Sequence, residues 1–344
     1  MPLIPDSPRR RAPLPWLRRG TDPSGWRYAD VPRLTGLTAV VTGGSSGVGL
    51  ALAEQLAARE AHVVLVARGA GETESAARHL CRRATPGHVS AVPVDLADLD
   101  DIGTAAGRIG ELTDGRVDIL VNNAGVAALP ATCTPSGFEA HFAVNHLGHY
   151  ALTGHLMPAL LAAPAPRVVT VSSVLHWLGR LDPVTPHRPA RYHRWGAYFA
   201  SKAANLLFTH GLDTWARAAR APLTAVSAHP GLVHTNLGSR ALRESRRHTE
   251  ARLLEHLQRR WHSPTEAALP LLRASTDPTA QAGDFFGPGG YLELSGPAVH
   301  VRAAPSTASA AAADRLWRLS QQLTGVAYPA APPAPHKPEI STGT

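Results

Sequence analysis

The chain has 344 residues, 44% of them hydrophobic, which is enough to bury the core of one large α/β domain or of two smaller ones. The formal net charge of +8 comes from dispersed arginines that belong to no recognised basic module, so we expect no nucleic-acid partner. No apolar run reaches the roughly 20 residues of a membrane span. The two cysteines, Cys81 and Cys133, cannot form a disulfide framework. We therefore expect a cytoplasmic globular protein.

Short apolar runs alternate with Ala-rich helical stretches along most of the chain. Residues 1–34 are rich in Pro and Arg and predict a flexible extension, and residues 326–344 predict a disordered Pro-rich tail. Val-rich strands separated by helices are typical of a parallel sheet buried on both faces, so we predict one doubly wound α/β domain over residues 35–325. The predicted strands are 38–42, 62–67, 89–94, 117–121, 167–172, 223–228 and 284–286, and long helices are predicted at 136–162 and 197–219.

A glycine-rich turn joins the first predicted strand to the first predicted helix. Glycines let the backbone approach a ligand, and the free N–H groups of a helix amino terminus favour negative charge. In an α/β series this is the place for the pyrophosphate of a dinucleotide, and the alternative is a tight turn without a ligand. The candidate cofactor-binding residues here are Thr42, Gly43, Ser45, Ser46, Gly47, Val48 and Gly49.

The end of the second predicted strand bears on the choice of cofactor. A dinucleotide fold specific for NAD carries Asp or Glu at this place for the ribose 2′-hydroxyl, whereas this chain has Arg68. A guanidinium can pair with a 2′-phosphate, so we expect NADP(H) in preference to NAD(H), the alternative being a solvated loop arginine.

Two further strand ends are candidates for cofactor contacts. A carboxylate after the third strand can accept a hydrogen bond from an adenine amino group, and small residues after the fourth leave room at the carboxyl edge of the sheet. Either segment could also be a simple turn. The candidate residues are Asp95 and Leu96 after the third strand, and Asn122, Ala124 and Gly125 at the fourth.

Tyr198 and Lys202 stand four residues apart in a predicted helix. The chain has 32 arginines and two lysines, so a lysine at this place indicates a need for an ammonium group. Positions i and i+4 share a helix face, and a nearby cation favours the phenolate form of a tyrosine. The pair therefore predicts a tyrosine that acts as an acid or base, against the alternative of an amphipathic helix with a surface lysine.

Taken together, these motifs resemble the short-chain dehydrogenase/reductase family, in its compact single-domain subclass with a Rossmann fold of three αβα layers. The resemblance covers roughly residues 34–290, and Arg68, the 145–149 segment and the late Leu316–Ser320 segment resemble the retinol-dehydrogenase-like branch. In family order, the chain carries the 42–49 turn, Asp95, the 122–125 segment, Asn145, Ser172 with Ser173, Tyr198 with Lys202, Pro230 with Gly231, Val233 and Thr235.

The resemblance implies an NADP(H)-dependent oxidoreductase that interconverts a carbonyl and an alcohol on a small to medium, mainly apolar substrate. Tyr198 would be the general acid/base, and Ser173 would hydrogen-bond the substrate oxygen. Lys202 would depress the pKa of Tyr198 and hold the nicotinamide ribose, and Asn145 would fix a water that links Lys202 to solvent. The resemblance also implies cofactor contacts from Tyr198, Lys202, Pro230, Gly231, Val233 and Thr235.

Two regions depart from, or extend, the family pattern. The 24 residues between Ser173 and Tyr198 form a longer interval than is usual in the family, and this 174–197 insertion predicts a loop that shapes substrate entry, or else a solvated flap. The resemblance places a substrate lid at about 236–262, a strongly charged segment that includes Arg240, Arg243, Arg246, Arg247 and Arg252. We expect an apolar inner face from Leu237, Leu242, Leu253, Leu254 and Leu257.

Other readings remain open from the sequence. A dinucleotide-sensing regulatory protein without turnover is the alternative function, and the form of the glycine-rich turn argues against dehydratase or epimerase chemistry on a nucleotide sugar. His141, His146 and His149 lie in one helical stretch without acidic or thiolate partners, so we expect no metal site. The resemblance implies a homodimer or homotetramer, and no residue decides between them.

Overall fold

The protein is described by a computed structural model over residues 26–83, 89–181, 192–233, 241–243, 245–258 and 261–329. Its strands are β1 (Thr38–Thr42), β2 (His62–Ala67), β3 (Val89–Pro93), β4 (Ile119–Asn122), β5 (Arg167–Val171), β6 (Thr224–Ala228), β7 (Phe285–Pro288) and β8 (Ala298–His300). Its α-helices include α1 (Gly47–Ala58), α2 (Ala70–Arg83), α3 (Leu99–Leu112), α4 (Ala140–Phe142), α5 (Gly148–His155), α6 (Met157–Leu161), α7 (Arg194–Ala219), α8 (His248–Gln258), α9 (Pro264–Ala267), α10 (Leu269–Thr276) and α11 (Ala310–Thr324).

The eight strands form one sheet in the order β3-β2-β1-β4-β5-β6-β7-β8. Strands β1 to β7 are parallel, and β8 runs antiparallel to β7. The predicted doubly wound α/β fold is therefore confirmed. Strand order reverses between β1 and β4, and ligands of such sheets bind in the crevice outside the carboxyl ends of the strands at this reversal.

Both faces of the sheet are buried, as the Val-rich strands predict. In β2, Val63 and Leu65 pack into the apolar cluster on one face, and Val64 and Val66 pack into the cluster on the other. Successive side chains of a strand point to opposite faces, so a strand buried on both sides needs an unbroken apolar run. This is why β1 and β2 have the bounds that the sequence predicts.

The predicted 136–162 helix is divided in the structure. A π-helical segment, Ala143–Leu147, connects α4 to α5, and the helix breaks again before α6, which has a proline in its first turn. A proline lacks the N–H that would continue the preceding turn, which accounts for the second break. None of the helices in the described ranges is long and apolar enough to cross a membrane.

The packed domain extends beyond the predicted limits of 35–325. Trp26 pairs with Ala298 of β8, and Val31 and Leu34 are buried in the core. At the other end, Tyr328 is buried, and its hydroxyl donates to the Tyr150 carbonyl at 2.9 Å. The chain segments on both sides of the predicted domain therefore contribute to the core.

Candidate active site

The turn between β1 and α1 packs closely on itself and on the residues that follow β4. Gly43 and Gly47 have φ values of +66° and +56°, in the left-handed region that favours glycine. A Cβ on Gly49 would lie 2.3 Å from the Gly43 carbonyl oxygen and 2.5 Å from Asn123 Nδ2. Side chains at Gly43 and Gly49 would therefore fill the space between the turn and the end of β4.

The amino terminus of α1 lies open at this turn. Ser46 is the N-cap residue with an extended backbone, and its side chain makes no capping hydrogen bond. The first N–H groups of a helix have no partners within the helix and carry a partial positive charge. Together with the glycine cradle, they fit the pyrophosphate of a dinucleotide.

Thr42 joins the ends of β1 and β4. Its Oγ1 accepts hydrogen bonds from the backbone N–H groups of Asn123 and Ala124, at 2.8 and 2.9 Å, and lies 2.9 Å from His149 Nε2. Asn123 Nδ2 donates to the Thr42 carbonyl at 2.7 Å. Burial lowers the pKa of His149 to about 4, so its ring is neutral at physiological pH. Asn123 and His149 thus hold the site together, and no sequence motif singled them out for this role.

The other predicted cofactor residues lie along the same edge of the sheet. Arg68 directly follows β2 and is exposed. Just before it, the Val66 carbonyl accepts a hydrogen bond from Gly43 N at 2.7 Å, which joins the end of β2 to the glycine-rich turn. Asp95 follows β3 and uses its carboxylate to accept from Ala97 N at 3.0 Å. The Asn122 side chain, in contrast, is fully buried and donates to Thr153 at 3.0 Å, so its contact is with a helix.

Ser172 and Ser173 follow β5 and have different partners. Ser172 Oγ donates to the Lys202 carbonyl at 2.8 Å. Ser173 caps the short helix that follows, and its hydroxyl lies near enough to Tyr198 to lower the pKa of that phenol. The structure therefore joins Ser173, the serine that the sequence favoured, to the predicted acid/base.

Tyr198 and Lys202 are both buried, with 8% and 4% of their surfaces exposed. Lys202 Nζ donates to the Val171 carbonyl at 3.1 Å, and burial lowers the pKa of Lys202 to about 8. The expectation that the pKa of Tyr198 is depressed is wrong for this structure. Burial raises the pKa of Tyr198, and the nearby Ser173 hydroxyl offsets part of that rise.

Asn145 lies in the π-helical segment and turns its side chain toward the site. Its Oδ1 accepts from Val126 N at 2.7 Å, and its Nδ2 donates to the Val126 carbonyl and to Ser201 Oγ, at 3.0 and 2.9 Å. A Cβ on Gly125 would lie 3.2 Å from Asn145 Oδ1 and 3.4 Å from Lys202 Nζ. Asn145 therefore fastens the chain after β4 beside Lys202.

A second pair of predicted cofactor residues, Pro230 and Gly231, forms the turn after β6, and Val233 is buried just beyond it. Thr235 lies outside the described residues. Gly231 has a φ of +74°, and a Cβ there would lie 2.6 Å from the Leu294 carbonyl oxygen. This turn is therefore pressed against the segment that follows β7.

A buried acid–histidine pair lies next to Tyr198. The expectation that no acidic side chain joins His141 is wrong, because Glu139 accepts from His141 Nδ1 at 2.7 Å. Leu129 N donates to His141 Nε2 at 3.2 Å. The rings of His141 and Tyr198 are 6.3 Å apart. His141 is thus a packing and hydrogen-bonding residue, and the described ranges contain no cluster of three or more His, Cys, Asp or Glu side chains arranged for a metal.

The predicted lid is described in part. Leu242 is buried and clusters with Ala128, Ala251 and Trp195, whereas Leu253 is 61% exposed, so the expectation that Leu253 faces inward is wrong. Leu237 and the side chains of Leu254 and Leu257 lie outside the described residues, as do residues 182–191 of the insertion. Two of the lid arginines pair with acids of α8: Arg243 with Glu255 and Arg247 with Glu250.

Comparisons with known proteins agree with this geometry. The family model for short chain dehydrogenases matches residues 37–246. Human retinol dehydrogenase 13 is 33% identical over 299 residues, which cover 86% of this chain and 87% of the relative. A solved structure of an uncharacterised Mycobacterium paratuberculosis protein has 36% identity and a TM-score of 0.71, and covers 89% of this chain and all of that one.

A further solved structure holds a bound dinucleotide. L-sorbose reductase from Gluconobacter frateurii, complexed with NADPH and L-sorbose, has 26% identity and a TM-score of 0.61, and the match covers 76% of this chain and 98% of that one. With the family model and the retinol dehydrogenase match, these likenesses agree with the doubly wound sheet of the chain. The chain belongs to the short-chain dehydrogenase/reductase family, in its retinol-dehydrogenase-like branch.

Proposed function

We propose that this protein is an NADP(H)-dependent carbonyl reductase or alcohol dehydrogenase for a small to medium, mainly apolar substrate. The observation that carries the proposal is the burial of Tyr198 with Lys202 one turn further along α7, beside the Ser173 hydroxyl that lowers the pKa of Tyr198. Ser173 follows β5, and Tyr198 and Lys202 belong to α7, so the three side chains lie at the carboxyl edge of the sheet. The open amino terminus of α1 lies at that same edge.

The residues that would hold the dinucleotide are the glycine cradle at 43–49 and the N–H groups of α1 for the pyrophosphate, with Arg68 for a 2′-phosphate. When bound, the nicotinamide supplies a hydride to the carbonyl carbon or accepts one from the alcohol carbon. An exposed arginine directly after β2 supports NADP(H), because a guanidinium forms charge-assisted hydrogen bonds with phosphate.

The acid/base work falls to Tyr198. Burial raises the pKa of its phenol, so Tyr198 keeps its proton at neutral pH and can donate that proton to a carbonyl oxygen. Ser173 Oγ is placed to hydrogen-bond the same substrate oxygen. The Lys202 ammonium stabilises the phenolate that remains after the proton has left, because opposite charges attract more strongly in a buried site.

The walls near Tyr198 support an apolar substrate. Trp195 lies one turn before Tyr198, with its ring 6.3 Å from the tyrosine ring, and it packs with Ala128 and Leu242. Binding sites for small molecules are lined mainly by apolar and aromatic groups, with a few polar groups that orient the ligand.

We also propose that the protein works in the cytoplasm. Cys81 and Cys133 are free thiols, which supports a reducing compartment.

The test is a panel of aliphatic, aromatic, terpenoid and steroid aldehydes and ketones, assayed with NADPH and with NADH. We expect turnover that prefers NADPH. Arg68→Glu should raise the KM for NADPH by about 10-fold to 100-fold and leave the KM for NADH nearly unchanged, because a charged phosphate contact is lost. An equal effect on both cofactors would contradict the assignment of Arg68, and a wild-type protein that binds NADPH but reduces no carbonyl would contradict the proposed reaction.

A further inference from the structure

His229 and Glu293 form a buried pair that no motif of the sequence identifies. His229 is fully buried and Glu293 is 4% exposed, and His229 Nε2 lies 3.0 Å from Glu293 Oε2. The N–H of Gly231 donates to His229 Nδ1 at 3.2 Å. Because Nδ1 accepts this bond, the ring proton is on Nε2, and His229 donates it to the Glu293 carboxylate.

The pair joins two segments that lie far apart in the sequence. His229 directly precedes the Pro230–Gly231 turn, and Glu293 belongs to the segment between β7 and β8. Leu232 N donates to the Leu294 carbonyl at 3.3 Å, and the place of a Gly231 side chain is taken by the Leu294 and Glu293 carbonyl oxygens. The backbone around Glu293 thus packs against the Pro230–Gly231 turn and supports it.

The backbone around Glu293 is itself in an unfavourable conformation. Leu292 and Glu293 have φ values of 54° and 56°, both in the left-handed region, which residues with a Cβ rarely adopt. Two such residues in succession persist where the surrounding contacts hold them, and such strain clusters at ligand-binding sites. The Glu293 carboxylate on His229 is one of these contacts.

A second buried histidine stands across Phe285 from His229. The His176 and His229 rings are 5.5 and 5.2 Å from the Phe285 ring. His176 Nδ1 donates to the Ser173 carbonyl at 2.7 Å, and its Nε2 accepts from Ala304 N at 3.0 Å. One histidine therefore fastens the serine side of the site, and the other fastens the Pro230 side.

We propose that Glu293 is a positioning residue, which acts through His229 to hold the Pro230–Gly231–Leu232 turn in the shape that receives the cofactor. This inference rests on the proposed function for the identity of the ligand. Glu293 lies behind the turn and makes no direct contact with substrate or cofactor in this role. Its effect falls on cofactor affinity, and chemistry on bound cofactor is less affected.

Two variants separate the reach of the side chain from its charge. Glu293→Asp keeps the charge but is one methylene shorter, so it cannot reach His229 from the same backbone. Glu293→Gln keeps the length and an oxygen that accepts from Nε2. Direct NADPH binding should weaken by about 10-fold to 100-fold in Glu293→Asp. In Glu293→Gln it should stay within about five-fold of wild type. In Glu293→Asp, the KM for NADPH should rise by a larger factor than kcat falls.

A matched control is the buried carboxylate of Asp277, which pairs with Arg273 at 3.0 Å. Arg167, the first residue of β5, donates to the Asp277 carbonyl, so Asp277 lies at the amino edge of the sheet, opposite the site. Asp277→Asn should lower the melting temperature and leave NADPH affinity unchanged. Unchanged affinity in Glu293→Asp, or equal loss in Asp277→Asn, would overturn the proposal. Binding is measured without turnover, so a wild type that binds NADPH but reduces no carbonyl would contradict the proposed reaction and leave this test valid.

Discussion

Lys202 carries an ammonium group inside the protein, and burial lowers its pKa from 10.5 to about 8. A group that is harder to protonate in the folded chain binds fewer protons there than in the unfolded chain between these two pKa values. The free energy of unfolding therefore rises with pH over that window, and below it the buried charge costs stability. Such a cost at a site residue indicates that the charge is kept for function.

This trade-off can be measured with Lys202→Met, which keeps most of the side-chain volume and removes the charge. We expect the variant to lose turnover and to gain stability relative to wild type at neutral pH. Wild-type Lys202 becomes neutral near pH 8 in the folded chain and near pH 10.5 in the unfolded chain. The stability advantage of Lys202→Met should therefore shrink by about 3 kcal/mol as the pH rises between these two values. Denaturant unfolding of both proteins across this pH range checks the prediction, and a constant difference would contradict the buried-charge account.

The largest elements of the fold and the main site residues could be predicted from the sequence, because both are expressed locally. Val-rich runs predict β1 and β2, and the 42–49 turn and the Tyr198–Lys202 spacing predict chemistry within a few residues. The short strand β8 has three residues and no pattern of its own. The π-helical turn at Asn145 also has no signature in the sequence.

Long-range polar pairs escape sequence reasoning for a different reason. His229 and Glu293 are 64 residues apart, and Thr42 and His149 are 107 residues apart, so each pair exists only once the sheet has formed. The pKa of Tyr198 shows the same limit. The spacing to Lys202 was visible in the sequence, but the burial that raises the pKa depends on the whole fold.

The turn between β1 and α1 gives a prediction at the scale of an element. Gly49→Ala would place a Cβ 2.3 Å from the Gly43 carbonyl oxygen, so the turn must shift. We expect a loss of about 1–3 kcal/mol in stability and NADPH binding weaker by at least about 10-fold, because the cradle no longer fits the pyrophosphate. Denaturant unfolding and an NADPH titration measure the two effects.

The matched control is Gly107→Ala in α3, where a Cβ has no heavy atom outside the local helix within 4 Å. Alanine is a better helix former than glycine, so this variant should gain about 0.5–1 kcal/mol and bind NADPH as wild type does. If Gly49→Ala behaved like this control, the close approach at the turn would have no part in cofactor binding.

At the scale of the molecule, the carboxyl-terminal segment supports the helices that carry the site. Trp317 of α11 packs on Tyr150 of α5 and Phe208 of α7, and Tyr328 packs on Tyr150 and Trp317. Aromatic side chains bury large areas and dominate such contacts. The carboxyl-terminal segment is therefore part of the dehydrogenase domain. It packs on the side of α7 that faces away from the sheet. On the other side of α7, Lys202 contacts the end of β5.

In the function that we propose, Tyr198 moves the proton and other residues bind most of the cofactor. Tyr198→Phe removes one hydroxyl and keeps the ring that packs on His141 and Trp195. With the best carbonyl substrate, NADPH oxidation should fall by about 10²-fold to 10⁴-fold, while direct titration shows NADPH affinity within about three-fold of wild type. Turnover at the wild-type rate in this variant would contradict the account.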